Sequence, residues 1–159
     1  RETAITTAKL FFILFGALIF SNFVNRAGLP DGLIGIVNAF DLSPLGVILI
    51  ILLIYVVLGC VFESLSMILL TVPIFAPLVA SLGFDLIWFV ILVVVVTEIS
   101  LITPPIGLNV FVLKGVLKDV AVGTIFKGVT PFWVADIFRL LLLAGVPSIA
   151  LFLPSMMMD

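Results

Sequence analysis

The stretch that decides the fold is Thr97-Glu98-Ile99-Ser100-Leu101-Ile102-Thr103-Pro104-Pro105-Ile106-Gly107-Leu108-Asn109. It lies inside an apolar segment from Leu86 to Leu113, longer than the roughly 20 residues that cross a bilayer as a helix. Two consecutive prolines remove two backbone donors, and their rings crowd the carbonyls of Ser100 and Leu101 one turn back. Pro104 also drives Thr103 out of helical dihedrals, and Gly107 allows another backbone or an ion to approach closely. In hydrocarbon, broken backbone is tolerated only inside protein or beside a polar cavity. Two hydroxyls (Ser100, Thr103), an amide (Asn109) and a carboxylate (Glu98) surround the break. Discontinuous helices with polar groups at the interruption are how secondary transporters build ion and substrate sites. The alternative is a proline-kinked helix without a ligand.

Working outward, the chain has 159 residues, of which 64% are hydrophobic and 10% charged, with a mean hydropathy of +1.53. Soluble domains carry about 45–50% apolar and about 25% charged residues, so an all-α integral membrane protein is expected. Net charge −2 without a basic run argues against nucleic acid as a partner. A single cysteine, Cys60, excludes an internal disulfide framework, and the lack of histidine argues against a zinc site. Neither a cofactor nor an enzymatic nucleophile–base pair is expected. Arg1-Glu2-Thr3 opens on no signal-peptide pattern, and the expected context is a longer polypeptide.

One continuous membrane region, 1–159, is expected. Its parts are a transmembrane helix over 4–25, an interfacial helix over 32–40, a helical hairpin over 44–82, the broken transmembrane helix over 86–113, a second interfacial helix over 119–128 and a final transmembrane helix over 130–154. Ser43 and Pro44 read as the cap and first turn of the hairpin. Its tip, Gly59-Cys60-Val61-Phe62-Glu63-Ser64-Leu65-Ser66, leaves arms of about 15 residues, near 22 Å at 1.5 Å rise. That is short of a ~30 Å core and favours a re-entrant element over two full crossings. Pro73 and Pro77 in the return arm point the same way. Trp88 and Trp133 are expected at the membrane interfaces, and Asp136 and Arg139 share a helix face. Arg1, Lys9, Lys114, Lys118 and Lys127 fall on one side, and only Arg26 falls on the other, with Asp31, Asp41 and Asp85. The positive-inside rule assigns the first set to the cytoplasm, so the hairpin enters from outside.

An intramembrane carboxylate is functional by default, and Glu98 stands near the middle of its span. Its partner is a bound cation or Arg139; otherwise burial keeps it protonated, joining two helices by a hydrogen bond. Glu63 carries the same alternatives, plus capping of the return arm. Ser64, Ser66, Thr103 and Asn109 offer neutral oxygens, and Gly59 and Gly107 offer carbonyls. A hard cation such as sodium takes oxygen ligands, so these six are candidates for one sodium site between hairpin tip and break. Glu63, Glu98, Ser100, Pro104 and Pro105 are candidates for substrate binding or ion coupling. Taken singly, each hydroxyl has a plainer role in bonding back to its own helix. Thr71, on the return arm, is expected to be silent, and Cys60 is expected to be a packing residue. Phe11, Phe12, Phe15, Phe20 and Met156 to Met158 suit lipid or helix contacts.

The blocks Leu58-Gly59-Cys60-Val61-Phe62-Glu63-Ser64-Leu65-Ser66-Met67-Ile68-Leu69-Leu70-Thr71-Val72-Pro73-Ile74-Phe75 and Glu98-Ile99-Ser100-Leu101-Ile102-Thr103-Pro104-Pro105-Ile106-Gly107-Leu108-Asn109-Val110-Phe111, at this spacing, carry a specific likeness. The chain resembles the large membrane subunit of TRAP (tripartite ATP-independent periplasmic) transporters, from about Thr3 to Pro154, and is similar to the C-terminal third of that subunit. The resemblance implies one of two inverted repeats of an elevator-type fold, each with a hairpin and a broken helix. It implies sodium-coupled uptake of organic acids, of dicarboxylate or sialic acid type, across the bacterial inner membrane by a multi-pass permease. The implied partners are a periplasmic substrate-binding protein and a small membrane subunit. The competing expectation, from a different class, is a structural or assembly subunit with kinked helices and no transport site.

Overall fold

The structure is a computed structural model that describes residues 2–104 and 107–158, with only the backbone of Met158. Arg1 and Pro105, both singled out above, lie outside the described residues. The described chain is helical throughout: α1 (Glu2–Arg26), α2 (Leu29–Ala39), α3 (Pro44–Gly59), α4 (Ser64–Ser81), α5 (Leu86–Ser100), α6 (Leu108–Val116), α7 (Val122–Gly145) and α8 (Pro147–Met158). Three of these, α1, α4 and α7, are long and apolar enough to cross a membrane. By contrast α3 has 16 residues and α5 has 15. At 1.5 Å per residue they reach only about 24 and about 22 Å, short of a ~30 Å hydrocarbon core.

Local chemistry sets the ends of these helices. Ser43 Oγ accepts from the Gly46 amide at 3.2 Å with Pro44 in the first turn of α3. Asp85 Oδ1 accepts from the Ile87 and Trp88 amides at 2.7 and 3.1 Å and so caps α5. Side-chain acceptors of this kind satisfy donors that the first helical turn leaves without partners.

The core is organised around α5, which packs against α3, α4, α7 and α8. Trp88, Phe89, Leu92, Val93, Val96 and Ile99 of α5 are all essentially inaccessible and meet Ile48, Ile51 and Tyr55 of α3 and Met67 and Val79 of α4. Tyr55, fully buried, clasps the hairpin. Its hydroxyl is 2.6 Å from Thr71 Oγ1, and Thr71 gives its own proton to the Met67 carbonyl at 2.7 Å, so Tyr55 is the donor of the pair. Thr71 thus ties the return arm to α3. Thr71→Val should leave the Tyr55 hydroxyl buried without an acceptor, at a cost of about 1–3 kcal/mol. Thermal melting of the purified full-length permease should register it as a lower midpoint, whereas an unchanged midpoint would mean that the clasp is not formed.

Three sequence expectations are corrected here. First, α2 begins at Leu29 rather than at 32, because Pro30 is favourable in a first turn and the preceding Gly28 supplies a left-handed start (φ +72°). Second, the separate helices expected over 119–128 and 130–154 are replaced by one helix, α7, which runs through Pro131, and a further helix, α8, which runs through Pro154. The interruption falls at Val146, because Pro147 has no N–H to give to the Leu143 carbonyl. Third, that carbonyl explains Trp88, which is 1% exposed rather than interfacial: its indole Nε1 donates to the Leu143 carbonyl at 2.8 Å. The tryptophan satisfies the acceptor that the proline abandons.

Candidate functional site

The hairpin tip and the break come together at the ends of α3 and α5. Gly59, the last residue of α3, is buried against Ser100, the last residue of α5. A Cβ built on Gly59 would fall within the Ser100 side chain, on both its Oγ and its Cβ. Only glycine permits this approach. Two helix C-termini therefore converge, and each presents partial negative charge. At the tip, the Cys60 amide donates to the Val57 carbonyl, and the Val61 and Phe62 amides both donate to the Leu58 carbonyl. The Gly59 carbonyl receives none of the three.

Across the break, hydrogen bonding is tighter than expected. The Ser100 carbonyl accepts from the Thr103 amide at 3.2 Å, and the Leu101 carbonyl accepts from the Asn109 amide at 3.1 Å. The two carbonyls expected to be freed by the prolines are thus partnered, though not helically. Gly107 starts α6 with φ +50°, and its carbonyl accepts from both the Val110 and Phe111 amides, at 2.8 and 3.3 Å. A carbonyl has two lone pairs, so the first turn of α6 occupies it.

Thr103 is 6% exposed, donates its hydroxyl proton to the Ile99 carbonyl at 2.7 Å and accepts from Trp133 Nε1 at 2.9 Å. One lone pair on its oxygen remains. Ser100 is fully buried and donates its hydroxyl to the Thr97 carbonyl. The Thr97 hydroxyl is 1% exposed and is the one buried side-chain oxygen without a hydrogen-bond partner among the described residues. Leaving such a group unsatisfied costs about 1–3 kcal/mol.

Other candidates lie apart from this cluster. Glu63 is exposed and caps α4: its carboxylate accepts from the Leu65 and Ser66 amides and from the Ser66 hydroxyl, each at 3.1 Å. Capping is thus the third of the roles considered for Glu63, and it engages Ser66 as well. Ser64 is half-buried in the first turn of α4, and Asn109 is exposed on α6. Glu98 is exposed on α5, one face away from the core. Arg139, one of the alternative partners considered for it, instead meets Asp136 at 3.0 Å on its own helix. Cys60 is buried and donates to the Val56 carbonyl at 3.3 Å, as a packing residue would. Pro104, exposed at the break, lines a cleft of about 140 Å³ with Ile102, Phe126, Val129, Thr130 and Trp133.

Two residues at this junction carry no local signal of their role in the sequence. Thr97 stands inside the decisive stretch, but nothing in its spacing signals an orphaned oxygen. Trp133 has the pattern of an interfacial aromatic, and its partner lies 30 residues away in sequence.

The described fold is that of an all-helical membrane protein in which the C-terminal ends of α3 and α5 meet. Residues 1–149 match the family described as the tripartite ATP-independent periplasmic transporter, DctM component. The chain belongs to this family. It is 31% identical over 154 residues to the C4-dicarboxylate TRAP transporter large permease protein DctM of Pseudomonas aeruginosa, covering 97% of the chain and 36% of that relative. It is 32% identical over 156 residues to the sialic acid TRAP transporter large permease protein SiaM of Vibrio cholerae, covering 98% and 36%. Identity to the ectoine/5-hydroxyectoine TRAP transporter large permease protein UehC of Ruegeria pomeroyi is 29% over 154 residues, covering 96% and 36%. These relatives are transporter permeases rather than enzymes, and the chain spans about a third of their length.

Proposed function

We propose that this chain is one half of the transport machinery of a TRAP large permease, which carries organic acids into the cell by sodium symport. In this reading α3 and α4 form a re-entrant hairpin, α5 and α6 are the two halves of a broken transmembrane helix, and both belong to one inverted repeat of an elevator-type fold. A sodium ion is held where hairpin and break meet, by the Thr103 hydroxyl and by carbonyl oxygen at Gly59. Ser100 and Thr97 supply further oxygen beside them. Gly107 serves as the turn that opens α6, and Glu63 with Ser66 as the cap that rigidifies the tip. The relatives named for C4-dicarboxylates, sialic acid and ectoine motivate a small organic acid or zwitterion as substrate. A periplasmic binding protein delivers it, a small membrane subunit completes the complex, and the setting is the bacterial inner membrane, with Lys114 and Lys118 on the cytoplasmic side.

One observation carries this reading. Two helix C-termini meet at Gly59 and Ser100, so two partial negative charges converge in an apolar surrounding, a situation that a cation relieves. Glu98 lies on the same helix but faces away from the cluster, so its carboxylate acts on coupling or assembly rather than as a ligand.

The test is uptake by the full-length permease with its partner subunits in proteoliposomes. An imposed inward sodium gradient should drive accumulation, and an equal potassium gradient should not. Glu98→Gln keeps shape and removes charge, and it should lower the maximal rate several-fold while leaving the half-saturating sodium concentration within about twofold. Accumulation indifferent to sodium would overturn the symport reading, and a purely structural subunit would show no uptake of its own.

A further inference from the structure

We infer that Trp133 is the positioning residue of the ion site, acting through Thr103; the inference rests on the sodium site proposed above. Trp133 sits half-buried on α7, 30 residues beyond the break, and its indole Nε1 donates to Thr103 Oγ1 at 2.9 Å. An indole N–H donates and cannot accept, so the Thr103 proton has to point elsewhere. It points to the Ile99 carbonyl at 2.7 Å. A hydroxyl has one proton and two lone pairs. With the proton and one lone pair committed in fixed directions, the remaining lone pair has a single direction. Trp133 thereby converts a rotatable hydroxyl into a ligand aimed one way.

The surroundings give this bond its weight. Thr103 lies between the end of α5 at Ser100 and the start of α6 at Leu108, where the backbone is held by the 3.2 Å bonds from the Ile102 and Thr103 amides to the Ile99 and Ser100 carbonyls and by the 3.1 Å bond from the Asn109 amide to the Leu101 carbonyl. Among the described residues, Trp133 Nε1–Thr103 Oγ1 is the side-chain hydrogen bond that joins the break to α7. On its other side the indole borders the cleft of about 140 Å³ shared with Pro104, Phe126 and Thr130. Packing therefore does not confine the ring on that side, and the N–H bond fixes its position. An interfacial tryptophan usually turns its N–H to headgroups or water, whereas this one directs it to the candidate ligand.

The experiment measures uptake against sodium concentration for the full-length permease with its partner subunits. Trp133→Phe keeps an aromatic ring and deletes the N–H. It should raise the half-saturating sodium concentration by about three- to tenfold while the rate at saturating sodium stays within twofold. Combined with Thr103→Val, which removes the acceptor, Trp133→Phe should add nothing further to the half-saturating concentration. A residue that merely props up the fold would instead lower protein level and maximal rate equally in both backgrounds, which would overturn the inference. So would an unchanged or lowered sodium requirement in Trp133→Phe. If Thr103→Val itself leaves sodium dependence untouched, the sodium site fails first. If Thr103→Val raises the requirement and Trp133→Phe does not, the Trp133 inference alone fails. Should Trp133→Phe not accumulate, β-(3-benzothienyl)alanine at position 133 keeps the bicyclic ring with sulfur in place of N–H, and the same rise is expected.

Discussion

Gly59→Ala should cut uptake at least tenfold and lower the melting midpoint of the purified permease. The added methyl would occupy the space of the Ser100 Oγ and Cβ, and both residues sit at the ends of buried helices that pack along their length. Overpacking in a filled core costs about 1–3 kcal/mol and sometimes more, because neighbours are forced off their rotamers or the backbones move apart. Either outcome opens the junction between hairpin tip and break. Ser100→Ala gives only partial relief, since the clash involves the Ser100 Cβ as well as its Oγ. Ser100→Gly removes both atoms, so the double variant Gly59→Ala with Ser100→Gly should recover most of the lost stability. The cost of glycine at Ser100 is small, because that position ends α5 instead of lying in its interior. A Gly59→Ala permease with normal melting and normal uptake would show that the two helix ends do not touch.

How far the sequence discloses this architecture depends on whether a signal is local. The Pro104–Gly107 interruption, the Ser43–Pro44 helix start and the tip between α3 and α4 are each marked by residues within a few positions of the feature. The roles of Trp88 and Trp133 are not. Trp88 bonds the carbonyl that Pro147 deprives of a donor, across 55 residues, and Trp133 bonds Thr103 across 30. Both tryptophans carry the pattern of interfacial anchors, because an amphipathic ring near a helix end has the same composition whether its N–H meets a headgroup or a protein oxygen. The separation expected between 128 and 130 is likewise absent, and α7 runs on through Pro131 although a proline disfavours a helix interior. Thr71 looked neutral because its partner, Tyr55, is on the opposite arm. The hydroxyls of Ser66 and Ser100 are used locally, as side chains in helices commonly are, whereas Thr97 is the buried hydroxyl among the described residues that has no such bond.

Thr103→Val should raise the sodium concentration for half-maximal uptake by about five- to hundredfold, equivalent to ~1–3 kcal/mol of ligand interaction. The substitution is nearly isosteric and deletes one oxygen. It leaves the Ile99 carbonyl with the Ile102 amide as donor at 3.2 Å, so the backbone of the break keeps its bond there. It does strand the Trp133 N–H, and the cleft beside that ring offers space for it to turn away. Thr103→Ser separates the two effects. Serine keeps the hydroxyl with its donor and acceptor geometry and loses only a methyl, so sodium dependence should stay within about threefold of the parent. Ser81→Ala is the control, because that hydroxyl bonds the Leu78 carbonyl at the far end of α4, away from tip and break. The measurement is initial uptake rate across a sodium series at fixed substrate, repeated at fixed sodium across a substrate series. A loss confined to the sodium series identifies Thr103 as an ion ligand. Equal weakening in Thr103→Val and Ser81→Ala would mean that the sodium requirement follows general destabilisation, and the site would have to be sought away from the junction of α3 and α5.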